Sequence, residues 1–382
     1  MTEAGVWATV RRFVDGVVMA WLATRNRMLC NPSFQRWAEG SWIARFVARR
    51  RASALFDLSA GFVYSQVLCA AARLGLLDIL HAGPRSATEL ALLLELSPDA
   101  TARLLDAAAS LGLVQARGDA YWLGIHGCSF IGNPAVARLV EHNTIFYRDM
   151  ADPVALLRGE VRGAEVHRFW TYTQADAPPA AAPGVAAYTE LMAASIPLLV
   201  EDILEAYAIS DHQRLLDVGG GEGAFLEAAA ARAPAIELML FDLPGVATRA
   251  SARLARAGLS SRVRVVPGDW RRDPLPEGAD LVSLVRVLHD HDDPQALELL
   301  RAVRRVVRPG GVVLIAEPMR GTVGGERMGD AYFGFYLLAM GQGRVRTPAE
   351  ISALLEQAGF EPGRLRATRR PMISRLISAR AR

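Results

Sequence analysis

Leu215-Leu216-Asp217-Val218 runs directly into Gly219, Gly220, Gly221 and Gly223, and no other stretch limits how the chain can fold as sharply. Residues without a Cβ let the backbone turn through conformations closed to other residues, and let a ligand approach the peptide groups closely. An apolar strand before the turn and a helical pattern over Ala224–Arg232 after it put that ligand at a helix N-terminus, where free N–H groups point outward. Taken alone, the turn leaves dinucleotides and other nucleoside ligands equally open. Strand and helix patterns then alternate to the end of the chain, with strands predicted over Arg214–Val218, Glu237–Phe241, Val263–Pro267, Leu281–Arg286 and Val312–Glu317. That alternation predicts an α/β, Rossmann-like domain, a parallel sheet with helices on both faces.

Three further observations separate the ligands. The second strand ends in Phe241-Asp242-Leu243, about 20 residues past the glycines, where a carboxylate can accept from both hydroxyls of a ribose. Gly268-Asp269-Trp270 follows the third strand, and offers an acceptor for an adenine amino group beside an indole face for stacking. Asp217, just ahead of the glycines, would repel a pyrophosphate but has nothing to repel in S-adenosylmethionine (SAM). Together they predict a SAM site.

At 382 residues the chain is long enough for two domains. Ala175–Gly184, rich in Pro and Ala, reads as a joint. Before it, a start signal at Ser86/Thr88, a cap at Ser97-Pro98-Asp99 opening the helix Ala100–Leu111, and a hairpin over Val114–Leu123 form the order helix, helix, hairpin of a winged helix. The expected organisation is an N-terminal extension over 1–51, a mostly helical winged-helix domain over 52–174 and a SAM-binding domain over 185–382.

The extension holds nine arginines against three acids, with Trp7, Trp21, Trp37 and Trp42, four of the seven tryptophans in the chain. Arginine mixed with tryptophan suits a membrane–water interface; packing on its own domain or on a second copy is the competing reading. The longest uncharged run in the apolar Leu58–Ala72 region, 15 residues, falls short of a membrane span, and no signal peptide is evident. The expected location is the cytoplasm, with peripheral contact at the inner membrane. Cys30, Cys69 and Cys128 fit no metal spacing and read as buried thiols; no metal is expected. A net charge of +3, and a second helix offering only Arg103 beside Asp106, argue against nucleic acid and against a SAM-responsive winged-helix regulator.

Asp217-Val-Gly-Gly-Gly-Glu-Gly223, Phe241-Asp-Leu-Pro244, Gly268-Asp-Trp270, Arg286-Val-Leu-His-Asp290, Arg308-Pro-Gly-Gly311 and Arg346-Thr-Pro-Ala-Glu350 follow one another over some 130 residues. In these stretches residues 52–382 resemble the class I small-molecule O-methyltransferases with an N-terminal winged-helix dimerisation domain, the family of acetylserotonin and plant caffeate O-methyltransferases. The resemblance implies a homodimer, and a cofactor held by Gly219, Asp242, Leu243, Asp269, Trp270 and Arg286, with Asp217, Gly221 and Gly268 in the matching stretches. Met192 sits where the family has a residue near the sulfonium, and Tyr172 is a further candidate.

Methyl transfer to an alcohol needs a base, because the hydroxyl is barely acidic. His289, at the end of the fourth strand on the ligand-binding edge of the sheet, is the candidate, and it coincides with the family's catalytic histidine. Glu317 matches a carboxylate that flanks this histidine in the family. Where plant relatives often carry a second acid this chain has Val345, which leaves the number of supporting carboxylates open. His291 reads as a packing or substrate contact, and Asp293 before Pro294 as a helix cap.

Tyr332-Phe-Gly-Phe-Tyr-Leu-Leu338 falls where relatives build the acceptor pocket, with a core or dimer helix as the plainer alternative. Asn31-Pro-Ser-Phe-Gln-Arg-Trp37, Arg49-Arg-Arg-Ala52, Phe56–Gln66 and His289-Asp-His-Asp-Asp293 extend the resemblance to the bacterial 1-hydroxycarotenoid O-methyltransferases. That resemblance implies a large apolar acceptor, the tertiary 1-hydroxyl of an acyclic carotenoid, in a photosynthetic bacterium. Within the same fold, the rivals are a bacteriochlorophyllide C-methyltransferase and a polyketide O-methyltransferase.

Overall fold

The structure, a computed structural model, describes residues 3–170 and 196–382, and its contacts divide the chain into two units, Met1–Ser129 and Phe130–Arg382. The first unit opens with three helices, α1 (Glu3–Leu29), α2 (Pro32–Gly40) and α3 (Arg45–Arg73). The Asn31 side chain starts α2 by accepting from Ser33 N at 2.8 Å. Behind them come α4 (Leu76–His81), β1 (Arg85–Ser86), α5 (Ala87–Leu93), α6 (Pro98–Ser110), β2 (Val114–Arg117), β3 (Ala120–Leu123) and α7 (Ile125–Ile131). Ser86 and Glu89 close a reciprocal capping box on α5, and Ser97 caps α6 with Pro98 at its first position. β3 pairs antiparallel with β2 and β1, completing the expected winged helix over a core of Leu76, Leu77, Leu90 and Leu105.

Two expectations change in this unit. α3 is long and apolar enough to cross a membrane by length and composition, with mean hydropathy 1.4 over its best window and 11% of that window buried. Counting only uncharged residues hides this, because a window average tolerates an isolated charge. Of the three cysteines, Cys69 is buried while Cys30 and Cys128 are exposed.

The second unit begins with α8 (Pro134–Asp149), α9 (Pro153–Leu157) and α10 (Glu165–Trp170), and the description resumes in α11 (196–206). The strands β4 (Arg214–Val218), β5 (Glu237–Asp242), β6 (Val263–Pro267), β7 (Ala279–Val285), β8 (Val307–Glu317), β9 (Arg364–Arg366) and β10 (Arg375–Arg380) form one sheet in the order β6-β5-β4-β7-β8-β10-β9. The pairs from β6 through β8 are parallel, as the alternating pattern predicts. β10 runs antiparallel to both β8 and β9, so the sheet is mixed rather than wholly parallel. Side chains alternate across β4: Leu216 and Val218 join one core with α14 (Asp293–Val306) and α16 (Pro348–Gln357), while Leu215 joins the other with α11, α12 (Ala224–Arg232) and α13 (Pro244–Arg256).

The chain lays β5 and β6 to one side of β4, then crosses to β7 on the other. A crevice therefore opens at the carboxyl ends of β4 and β7, the switch point at which such sheets bind ligands. The predicted first domain ends at 174, yet Phe146 of α8 and Val166 of α10 pack on Tyr336 and Leu337 of α15 (Phe333–Met340), so α8–α10 belong with the second unit. The predicted joint at 175–184 lies outside the described residues.

Candidate active site

The glycine turn leaves β4 with Gly219 at φ 69°, Gly221 at φ 58° and Gly223 at φ 82°, the left-handed region that favours glycine. Gly220 is required for a different reason: a Cβ there would meet Asp217 Oδ2 at 2.5 Å. Asp217 is fully buried; its Oδ1 accepts from Ser283 Oγ at 2.6 Å, while Oδ2 has no partner among the described residues. Burial pushes its pKa up to about 7. Asp242, at the end of β5, accepts from Gly221 N at 2.8 Å and Leu243 N at 2.7 Å, tying the second strand to the turn. Burial raises its pKa to about 6 against the pull of those two N–H groups.

On the β6 side, Asp269 Oδ1 accepts from the backbone N–H and the Nε of Arg271, at 3.0 and 3.1 Å. Trp270 presents its ring edge-on to His291, with centroids 5.3 Å apart. Gly268 lies behind the cavity, where a Cβ would strike the Phe241 ring at 2.6 Å, so its part is packing. Arg286 follows β7 in a left-handed conformation (φ 57°) that is costly for a residue with a Cβ. Its N–H still reaches Ala316 O at 2.8 Å, which holds the strained residue beside β8.

His289 follows in a single 3₁₀ turn, Leu288–Asp290. Glu317 Oε2, at the end of β8, accepts from the His289 backbone N–H at 3.0 Å and faces its Nδ1 at 3.3 Å. Asp290 Oδ1 faces Nε2, also at 3.3 Å. Burial alone would lower the histidine's pKa, but the two carboxylates outweigh it, and the net shift is upward. The turn is clamped from below by Arg346, a buried guanidinium that donates to Leu288 O at 3.0 Å, His291 O at 2.7 Å and Asp293 Oδ1 at 2.8 Å. Asp293 therefore serves an ion pair, and α14 takes Asp292 as its N-cap residue instead.

Beyond His289 stands an aromatic wall. The Phe333 ring lies edge-on to His289, and Tyr336 OH accepts from Trp170 Nε1–H at 2.7 Å while sitting 2.7 Å from His142 Nε2. Burial lowers the pKa of His142 to about 4, so the ring is neutral and Tyr336 donates to it. The stretch around Tyr332–Leu338 is therefore both core and cavity wall.

A cavity of about 300 Å³ joins these parts. Its lining includes Asp217, Gly219, Gly221, Asp242 and Leu243 from the turn side, then Asp269, Trp270 and Arg286, with His289 beyond. Of the predicted residues, Gly268 and Glu317 stand behind the lining, and Met192 and Tyr172 lie outside the described residues. Asp290 and Arg346 escaped sequence reasoning as site residues; their only signal was a place inside motifs already quoted, since the burial of an arginine is not written in its neighbours. The carboxylates of Asp217, Asp242 and Asp269 in this lining suit a cationic nucleoside with free ribose hydroxyls, and would oppose a pyrophosphate. The unpartnered Asp217 Oδ2 and the close backbone at Gly220 fit SAM in the same way. Among the described residues, no group of His, Cys, Asp and Glu is placed to hold a metal ion.

Comparison with known proteins matches residues 147–361 to the O-methyltransferase domain and residues 56–127 to the O-methyltransferase dimerisation domain. The demethylspheroidene O-methyltransferase of Cereibacter sphaeroides is 42% identical over 92% of this chain and 93% of its own length. The protein of the same name from Rhodobacter capsulatus is 40% identical, over 87% and 83%. Among solved structures, human N-acetylserotonin methyltransferase in complex with SAM superposes with a TM-score of 0.69 at 26% identity, over 87% of this chain and 97% of that one.

Proposed function

The chain belongs to the O-methyltransferase family and is a SAM-dependent enzyme, and from that premise we propose that it methylates the tertiary 1-hydroxyl of an acyclic carotenoid, with His289 as general base. The observation that carries the acceptor is the 42% identity to a demethylspheroidene O-methyltransferase, which covers 92% of the chain and so reaches into the N-terminal extension as well as both domains. The family's dimerisation domain over residues 56–127 supports a homodimer as the working unit.

SAM, when bound, supplies a methyl carbon already activated by its sulfonium. The protein's share is to position the acceptor and take its proton. Asp242 would hold the ribose hydroxyls, Asp269 and Trp270 would receive the adenine, and the glycine turn would admit the rest. Glu317 holds the Nδ1–H tautomer of His289, which leaves Nε2 to receive the acceptor's proton. Glu317 and Asp290 then face the two nitrogens of the imidazolium so formed. Phe333, Tyr336 and Leu337, which line the same cavity as His289, offer an apolar wall to the chain of the acceptor.

The test is incubation of the purified enzyme with methyl-labelled SAM and, separately, an acyclic 1-hydroxycarotenoid, a bacteriochlorophyllide and a phenolic polyketide. Label transferred to the carotenoid oxygen supports the assignment. Label on either of the others, with none on the carotenoid, overturns it.

A further inference from the structure

The corner between α2 and α3 carries a feature that the reaction does not use. Trp42 is 80% exposed, Phe46 73%, Ile43 70% and Trp37 61%, all within ten residues. Large apolar side chains this exposed and this close together mark an interaction surface rather than ordinary surface scatter. Four arginines share the corner: Arg45, Arg49, Arg50 and Arg51 are all exposed, and none makes an ion pair or side-chain hydrogen bond among the described residues. No acid occurs between Glu39 and Asp57. Arg49 and Arg50 lie three and four residues beyond Phe46, one helical turn along the same side of α3, so their stems can run past the apolar cluster with their charges outward.

Two occupants compete for such a patch. A second copy of the chain would bring like charge towards like charge in a twofold arrangement, with Glu39 the single acid within the patch against four arginines. The match to the dimerisation domain begins only at residue 56, and Trp37–Arg51 precede it. An anionic bilayer meets both halves of the patch: tryptophan and phenylalanine enter the headgroup boundary, and the arginines pair with lipid phosphates.

We propose that the α2–α3 corner, centred on Trp42, Ile43 and Phe46 with Arg45 and Arg49–Arg51, docks the enzyme on an anionic lipid surface. Docking is peripheral and independent of which acceptor the active site takes, so it stands or falls apart from the carotenoid assignment. For an apolar acceptor dissolved in the bilayer, it would place the reaction site where the substrate is.

The full-length protein is mixed with phosphatidylcholine vesicles with and without phosphatidylglycerol, and partition is read by sedimentation. Binding is expected only with the anionic lipid, and is expected to fall as salt rises. At about 1 kcal/mol per basic residue near such a surface, Arg49→Gln with Arg50→Gln weakens partition about thirtyfold. Trp42→Ala with Phe46→Ala weakens it on the same vesicles. Both variants keep the oligomeric mass and helical content of the parent. Equal binding to both vesicle types, or unaltered binding by the variants, overturns the proposal. Loss of the oligomer in either variant assigns the patch to a second copy instead. Retention of the protein through an alkaline carbonate wash would make α3 a spanning helix and likewise overturn peripheral docking.

Discussion

Replacing Glu317 by Gln isolates what the buried carboxylate does for His289. Glu317 is fully buried, and its Oε2 faces two donors of the same residue, the backbone N–H at 3.0 Å and Nδ1 at 3.3 Å. The fixed backbone N–H requires an oxygen at that place, so the glutamine amide orients with its oxygen towards both donors and the Nδ1–H tautomer survives. What disappears is the charge. Coulomb's law at 3.3 Å gives about 5 kcal/mol at an effective dielectric near 20, an upper bound. Hydrogen bonds to charged groups contribute ~1.5–3 kcal/mol net, and the second carboxylate, Asp290, remains in place. A loss of about 2 kcal/mol brings the histidine's pKa down and lowers the rate by about thirtyfold. The sign follows from the direction of the shift. His289 is held above its ordinary value, so the wild-type enzyme gains base form, and rate, only as pH rises through that raised pKa. In Glu317→Gln the rising limb of kcat/KM against pH moves towards acid while the plateau falls. A limb that stays put with an undiminished plateau would show that Glu317 does not act on the base.

Three other outcomes follow from the same geometry. His289→Ala should abolish turnover while leaving SAM affinity within a few-fold in calorimetry, because none of the cofactor contacts proposed above runs through the imidazole; near-normal turnover would remove it from the mechanism. Gly220→Ala should weaken SAM binding at least tenfold and lower stability by ~1–3 kcal/mol, since its Cβ would meet Asp217 Oδ2 at 2.5 Å; a variant with unchanged melting and binding would contradict the packing described. SAM affinity should decline as pH drops through about 6, where Asp242 takes up a proton and no longer accepts from both ribose hydroxyls as a carboxylate. A pH-independent dissociation constant across that range would argue against this contact.

The strands that build the cofactor crevice were legible because each is a short apolar run ended by a turn residue with a chemical reason to be there. Glycine follows β4, Asp242 ends β5 and Gly268-Asp269 follows β6. β10 was not legible. Leu376 and Ile377 sit between Arg375 and Ser378 in an arginine-rich tail, and only pairing with β8 makes them core. Burial of polar groups was equally silent. Arg346 looks like a surface cation until the carbonyls of Leu288 and His291 are brought to it by the fold, and Asp290 becomes a partner of His289 only because the 3₁₀ turn aims it at Nε2. The division of the chain at Ser129 rather than near the Pro/Ala-rich joint has the same origin. The aromatic residues of α8 and α10 find α15, nearly two hundred residues away, and no local pattern announces that contact.

The reaction proposed for this site is transfer of a methyl group to oxygen with His289 taking the proton. The most direct measurement is mass spectrometry of the product formed from an acyclic 1-hydroxycarotenoid and SAM carrying a trideuteromethyl group, run in parallel on the parent enzyme and on His289→Ala. The parent should give a single labelled ether at the former tertiary hydroxyl, and the variant none above background. Label on carbon, or the same labelled ether from both proteins, would contradict it.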